Sequence, residues 1–223
     1  MGMIPDQDKE LLRSSFTEDM VNPVRIIAFT KNAWSPDHQV LECEFCQETE
    51  QLLSELADLS NKISVDLREY SPGDSMVEEL GIDKIPAIVL ASDSLTGVRY
   101  YGIPGGFEFS SLVEDLVDVS RGETDLSIEA KSKIRAIDKN IHIQVFVTPT
   151  CPYCPSAVRV AHQMAIENPT RITADAIEAS EFPDMVKKYD ISAVPTIVIN
   201  DELQFEGILS DEDFADHIVK AAA

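Results

Sequence analysis

Two Cys-x-x-Cys pairs, Cys43/Cys46 and Cys151/Cys154, are the residues whose type and spacing point most directly to chemistry. Two residues between cysteines, placed at a helix start, turn both sulfurs toward one point. The first sulfur then meets unpaired backbone N–H groups and the positive end of the helix dipole, which favour thiolate over thiol. The second lies one turn further in, placed to attack a mixed disulfide formed by the first. Cys151 is therefore expected to be the nucleophile and Cys154 the resolving thiol. Pro152 limits the backbone between them, and Tyr153 is expected to line the approach. Pro155 suits a first helical turn, because its missing N–H has no partner there. Zinc is the competing chemistry. A zinc ribbon brings its second pair within about 15–20 residues, whereas these pairs stand 108 residues apart, so no metal is expected. For Cys43/Cys46 a purely stabilising disulfide is the plainer alternative.

The elements that must position the cysteines occur twice. Residues 79–90 (ELGIDKIPAIVL) match 188–199 (KYDISAVPTIVI), which aligns Pro86 with Pro195 at an offset of 109. Asp66 and Asp175 align at the same offset, and the strands ending at Thr30 and Thr148 at 118. The first half thus carries ten extra residues before its cysteines, in the polar stretch Lys31 to Glu42 with Trp34 and His38, read as a loop. Its other segments read as a helix over 7–20, a strand from Val24 to Phe29, and a helix from Cys46 to Leu59. Leu52, Leu53, Leu56 and Leu59 give that helix an apolar face. A strand from Ile63 to Leu67, a short helix near 74–80, strands led by Pro86 and centred on Tyr100, and a helix over 110–120 follow.

The second half repeats this order from Ser127 to Ala221, with strands near 142–147, 171–176, 195–199 and 203–206. Gly102 and Gly207 close the last hairpin of each half, and Arg121 to Asp125 reads as the joint. The expectation is an α/β chain of two tandem thioredoxin-like units, residues 1–121 and 122–223. Each should hold a central mixed sheet flanked by helices, parallel across the helices and antiparallel in the hairpin.

Composition excludes several partners. With 18 Lys and Arg against 40 Asp and Glu the net charge is −22, which opposes binding to nucleic acid and to anionic membranes. No signal-like or membrane-spanning apolar run is seen, and the chain reads as cytoplasmic. No Gly-x-Gly-x-x-Gly fingerprint occurs, so no cofactor is expected and any flavin reductase must be a separate protein.

Thr148-Pro149-Thr150-Cys151-Pro152-Tyr153-Cys154-Pro155 and the Val194-Pro195 turn resemble the C-terminal half of the protein disulfide oxidoreductases of thermophilic prokaryotes. Tyr70-Ser71-Pro72 and Gly97 to Gly106 resemble their first half, so the likeness covers nearly the whole chain. Pro-Tyr between the cysteines is also found in glutaredoxins. The resemblance implies that Pro86 and Pro195 are cis, each facing its own cysteine pair. Backbone groups of Ile85 and Val194 would then be open to an extended substrate segment, as in strand addition. It further implies oxidation, reduction or isomerisation of protein disulfides, with a separate thioredoxin-reductase-like flavoprotein as electron donor and, in one variant, a peroxiredoxin as acceptor. The insertion before Cys43 departs from the family pattern and bears on the first site's activity.

The two sites are expected to differ. Glu42, Glu44, Glu48 and Glu50 surround Cys43 and Cys46 and oppose a further negative charge there, whereas Cys151 has neutral neighbours. Cys151 is therefore read as the faster nucleophile. Asp66 and Asp175 read as ending the second strand of each unit, as strand-end caps or as proton acceptors for a resolving thiol. His38, His142, His162 and His217 are dispersed and suggest no nucleophile–base pair. Rival functions are a dedicated electron carrier between a flavin reductase and a peroxidase, and a non-catalytic module that binds unfolded chains.

Overall fold

Strands rich in Val, Ile and Phe and buried along almost their whole length need cover on both faces, and helices supply it. The computed structural model describes residues 2–31, 43–92 and 95–223. Trp34, His38 and Glu42, with most of the expected insertion loop, lie outside the described residues. The first half holds α1 (Asp6–Asp19), β1 (Val24–Thr30), α2 (Cys46–Ala57), β2 (Ile63–Glu69), α3 (Ser75–Glu79), β3 (Ala87–Ser92), β4 (Leu95–Tyr101) and α4 (Glu108–Arg121). The second holds α5 (Ile128–Arg135), β5 (Ile141–Val147), α6 (Cys154–Glu167), β6 (Ile172–Glu178), α7 (Pro183–Lys188), β7 (Thr196–Ile199), β8 (Leu203–Glu206) and α8 (Asp211–Ala221). Gly122 ends α4 in the left-handed conformation (φ 67°), donating its N–H to Asp118 O. This is the usual glycine stop for a helix.

Each half has the same strand order, β2-β1-β3-β4 and β6-β5-β7-β8, so the chain is two tandem thioredoxin-like units. The sequence suggested a separate sheet for each. Instead β4 pairs in parallel with β6, Val98 to Tyr101 against Ala174 to Ile177, and the result is one eight-stranded mixed sheet. The edge that β4 would have left open is satisfied by β6, which removes a liability to uncontrolled pairing. A second join is helical: α4 packs on α6 across the two halves. Apolar side chains of α1, α2, α4, α5, α6 and α8 cover one face of the sheet, while those of α3 and α7 cover the other.

Pairing directions decide where the cysteines go. β1, β2, β4, β5 and β6 all run parallel, with β3 and β7 opposed to them. The chain therefore leaves β1 and β5 toward the same edge of one sheet. At the usual strand spacing β1 and β5, four places apart, lie roughly 19 Å from each other. Among the described residues no helix is long and apolar enough to cross a membrane.

Candidate active site

Cys154 opens α6 with Pro155 in its first turn, and Tyr153 stands at the cap position. A proline there costs the helix nothing, since the first N–H groups have no intrahelical acceptor. Cys151 and Cys154 form a disulfide with an S–S distance of 2.21 Å. The Cys154 N–H donates to Cys151 Sγ at 3.1 Å, so a free donor of the helix start falls on the first sulfur. Cys151 is 8% exposed and Cys154 fully buried. The Val194–Pro195 peptide bond is cis, and the Val194 carbonyl oxygen lies 3.8 Å from Cys151 Sγ. Val194 precedes the β5–β7 pairing, which begins at Thr196. The structure thus brings Cys151, Cys154, Val194 and Pro195 to one point, with Tyr153 65% exposed beside them.

The first unit repeats the arrangement with different surroundings. Cys43 and Cys46 are disulfide-bonded, Cys46 opens α2, and the Ile85–Pro86 bond is cis. Lys31 N–H donates to Cys46 Sγ at 3.3 Å. Ile85 is buried in the same apolar cluster as Cys46, with Cys43 packed against it. Gly102 and Gly207 occupy matching places, φ 89° and 86°, each donating its N–H at 2.9 Å to the carbonyl of its unit's cis proline. Their neighbours differ. A Cβ on Gly102 would come within 2.6 Å of Glu181 Oε1, whereas one on Gly207 would meet nothing within 4 Å among the described residues. The reason is topological: β4 is joined to β6 and its loop, while β8 is a free edge. The second unit therefore walls the first site, through Glu178 and Glu181, and the second site stays open on that side. Glu181 accepts the Ile103 N–H, and burial, with Glu178 and Glu44 nearby, pushes its carboxyl up to about 7.

Asp66 and Asp175 sit mid-strand, not at strand ends. Asp66 pairs with Arg68. Asp175 is buried; Arg99 bonds both of its oxygens (2.6 and 3.1 Å) and His142 bonds one. Burial alone would raise its pKa, but Arg99 and His142 outweigh it and hold the group below the usual carboxylate range. Arg99 and His142 line a cavity with Ile141, Ile172 and Thr173, at the starts of β5 and β6. Cys151 follows the opposite end of β5. Asp175 thus serves the join between units and is not placed as a proton acceptor for Cys154.

Glu108 is a buried acid next to the Cys151 loop's contact with α4 that the sequence does not single out. It starts α4, with Oε2 accepting from Ser111 and Oε1 without a partner among the described residues. The preceding residue, Phe107, donates its N–H to Pro149 O at 3.0 Å, which fixes the start of α4 against the Cys151 loop. Burial raises the Glu108 carboxyl from its ordinary 4.5 to about 7, opposed by the Ser111 hydrogen bond and aided by Asp115. As pH rises from 4.5 to 7 the unfolded chain ionises first, so this group removes stability across that window. Glu108→Gln is expected to be more stable than wild type by about 2 kcal/mol at pH 8, and equal to it near pH 4. Urea midpoints at the two pH values check this. Among the described residues no cluster of His, Cys, Asp and Glu is placed to hold a metal.

Comparison with known proteins places this geometry. The thioredoxin domain family matches residues 141–220. The structure of a protein disulfide oxidoreductase from Aeropyrum pernix superposes with a TM-score of 0.86 at 31% identity, covering 98% of this chain and 93% of that one. The alkyl hydroperoxide reductase protein AhpF of Enterococcus faecalis gives a TM-score of 0.84 at 26% identity, covering 99% of each chain. A Bacillus subtilis NADH dehydrogenase is 32% identical over 163 residues, 73% of this chain and 30% of that protein. The chain spans about 30% of the length of the curated relatives it matches. Two dithiol-bearing thioredoxin-like units joined through one sheet, matched end to end by the Aeropyrum structure, show that the chain belongs to the tandem thioredoxin-fold protein disulfide oxidoreductases.

Proposed function

We propose that this chain exchanges two electrons with protein disulfides, and that the unit formed by residues 122–223 is the principal catalyst, with residues 1–121 auxiliary. The observation that carries the reading is the position of Cys151 Sγ. It lies under a helix-start N–H and against the carbonyl that precedes a cis proline, in the unit whose outer strand, β8, ends the sheet. In reduction, the Cys151 thiolate attacks a substrate disulfide sulfur. An S–S bond forms to Cys151, and the other substrate sulfur leaves as thiolate. Cys154 then attacks Cys151 Sγ and releases the second substrate thiolate. The Cys151–Cys154 disulfide remains, and the substrate carries away two electrons. Backbone groups at Val194 and Ile85 would align an extended substrate strand in each site, with Pro195 and Pro86 holding those turns and Tyr153 beside Cys151. Cys43 and Cys46 would perform the same exchange more slowly.

Because Cys154 performs the release step, Cys154→Ser is expected to hold substrate as a stable mixed disulfide on Cys151. Non-reducing peptide mass spectrometry after mixing the reduced variant with insulin reads this out. Insulin attached at Cys43 and absent from Cys151 would reverse the ranking of the two sites. No adduct at either position would speak against the whole reading.

The likeness to alkyl hydroperoxide reductase proteins, and to part of a longer NADH dehydrogenase, favours a second reading. Here the chain relays electrons from a separate flavoprotein disulfide reductase to a peroxiredoxin. NADH oxidation by such a reductase and peroxidase pair, made dependent on this chain, would identify it. Either role fits a reducing, cytoplasmic setting that keeps the dithiols supplied with electrons.

A further inference from the structure

Four segments linked around Cys151 are residues 103–107, 148–153, 191–195 and 207–210, and none carries a charged side chain in a protein that is 26% charged. They are tied to one another by backbone bonds: Phe107 N–H to Pro149 O, and Gly207 N–H to Pro195 O, with Val194 O against Cys151 Sγ. Three of the four leave a large apolar side chain in water, Phe107 51%, Tyr153 65% and Ile208 47% exposed, while the cis-proline turn exposes only the small Ser192 and Ala193. Exposed aromatic and aliphatic groups clustered on an uncharged rim mark a contact surface rather than ordinary solvent-facing residues. The matching segments of the first unit carry Lys31, Glu44, Asp83 and Lys84 instead.

Phe107 comes from the other unit. Its loop fits so tightly on the Cys151 loop that a Cβ on Gly106 would lie 2.2 Å from Pro149 O, and Gly106 has φ +60°. Only glycine permits that approach, so the loop holds Phe107 in a fixed place beside the second site. The same loop borders a mostly apolar cavity of about 220 Å³, with Ile4, Leu52, Pro104 and Phe109 among its lining residues. That is below the range of roughly 300–1,000 Å³ usual for whole small ligands, and suits a single side chain.

We propose that Phe107, with Tyr153 and Ile208, forms an apolar docking rim for the Cys151 site that takes large apolar side chains flanking the disulfide of an extended protein segment. The proposal rests on the disulfide-exchange reading and deepens it by naming the substrate class. Its chemistry follows from two layers of contact. The backbone at Val194 grips any extended chain, while the rim rewards segments whose apolar side chains are out in water, as in unfolded or misfolded proteins. The charged first site lacks that selection.

The test compares two synthetic peptides with the same intramolecular disulfide, one with phenylalanine on both sides of each cysteine and the other with serine. The full chain reduces each under dithiothreitol, and the readout is the ratio of their kcat/KM values. Wild type is expected to prefer the phenylalanine peptide about tenfold. Phe107→Ser should bring the ratio below about threefold, Phe107→Leu should restore most of it, and Ile208→Ser should lower it in part. A wild-type ratio near one, or a ratio unchanged in both serine variants, would overturn the docking rim while leaving disulfide exchange intact. Reduction of neither peptide by wild type would overturn the exchange reading itself.

Discussion

Cys151→Ser is expected to lower dithiothreitol-driven reduction of insulin by at least about a hundredfold, to the slow exchange of the first site, while Cys43→Ser keeps most of the activity. A serine hydroxyl has no thiolate chemistry at neutral pH, so the first step has no nucleophile at that site. Three structural asymmetries support this ranking. Cys151 receives the Cys154 N–H and sits on an uncharged rim. Its cis-proline turn borders the free edge at β8, where nothing crowds Gly207. The first site is instead walled by Glu178 and Glu181 and has Glu44 between its cysteines, so a new thiolate there meets acidic neighbours. Turbidity from the released insulin B chain follows the reaction. Collapse of activity in Cys43→Ser alone would transfer the catalyst to the first unit. Loss in both variants would mean that electrons pass through the two sites in series.

The second large effect concerns stability. Asp115 is completely buried between α4 and α6, where it accepts hydrogen bonds from Tyr100 and Arg159 and pairs with His162 Nδ1. Arg159 also bonds Asp118 at 2.5 Å, and Gln163 bonds Asp118 at 2.9 Å. Asp115→Ala would leave the buried Tyr100 phenol without its acceptor and the Arg159 guanidinium without one of its carboxylates, Asp118 and Glu114 still bonding it. Removing one partner of a buried pair costs about 3–5 kcal/mol, far more than the pair adds over an apolar substitute. Urea-induced unfolding is therefore expected to shift to clearly lower concentration, and far-UV circular dichroism measures it. Burial alone would raise the Asp115 pKa, but His162 and Arg159 outweigh it and hold it below its ordinary 3.8. The stabilisation is thus complete above about pH 4 and fades as pH falls through the lowered value. A variant whose midpoint matches wild type at neutral pH would show that the network contributes little.

Local chemistry was legible because it is written in neighbouring residues. The Cys-x-x-Cys spacing with Pro155 placed Cys151 and Cys154 at a helix start, and α6 begins there. The repeat of Ile-Pro-Ala-Ile-Val and Val-Pro-Thr-Ile-Val located β3 and β7, and the strand from Val24 ends within one residue of the expected point. The Asp66 and Asp175 assignments failed for a related reason. A sequence offset aligns positions but does not say what crosses from the other unit, and Arg99, 76 residues away, claims Asp175. Glu108 and Phe107 gave no signal, since an acid and an aromatic near a helix start are ordinary until Pro149 is seen against them.

By itself, then, the sequence determined two thioredoxin-like units, a dithiol at a helix start in each, and a strongly acidic surface. Periodicity, spacing and composition act over a few residues and need no partner to be read. Only the tertiary structure decided that the two sheets are one, that both dithiols share an edge, and that the second unit walls the first site while the first unit lends Phe107 to the second. Those facts depend on which edges and faces find each other. Parallel pairing of β4 with β6 and close packing of Gly106 on Pro149 satisfy backbone groups and surfaces far apart in the chain. Such long-range satisfaction leaves no periodic mark in the sequence.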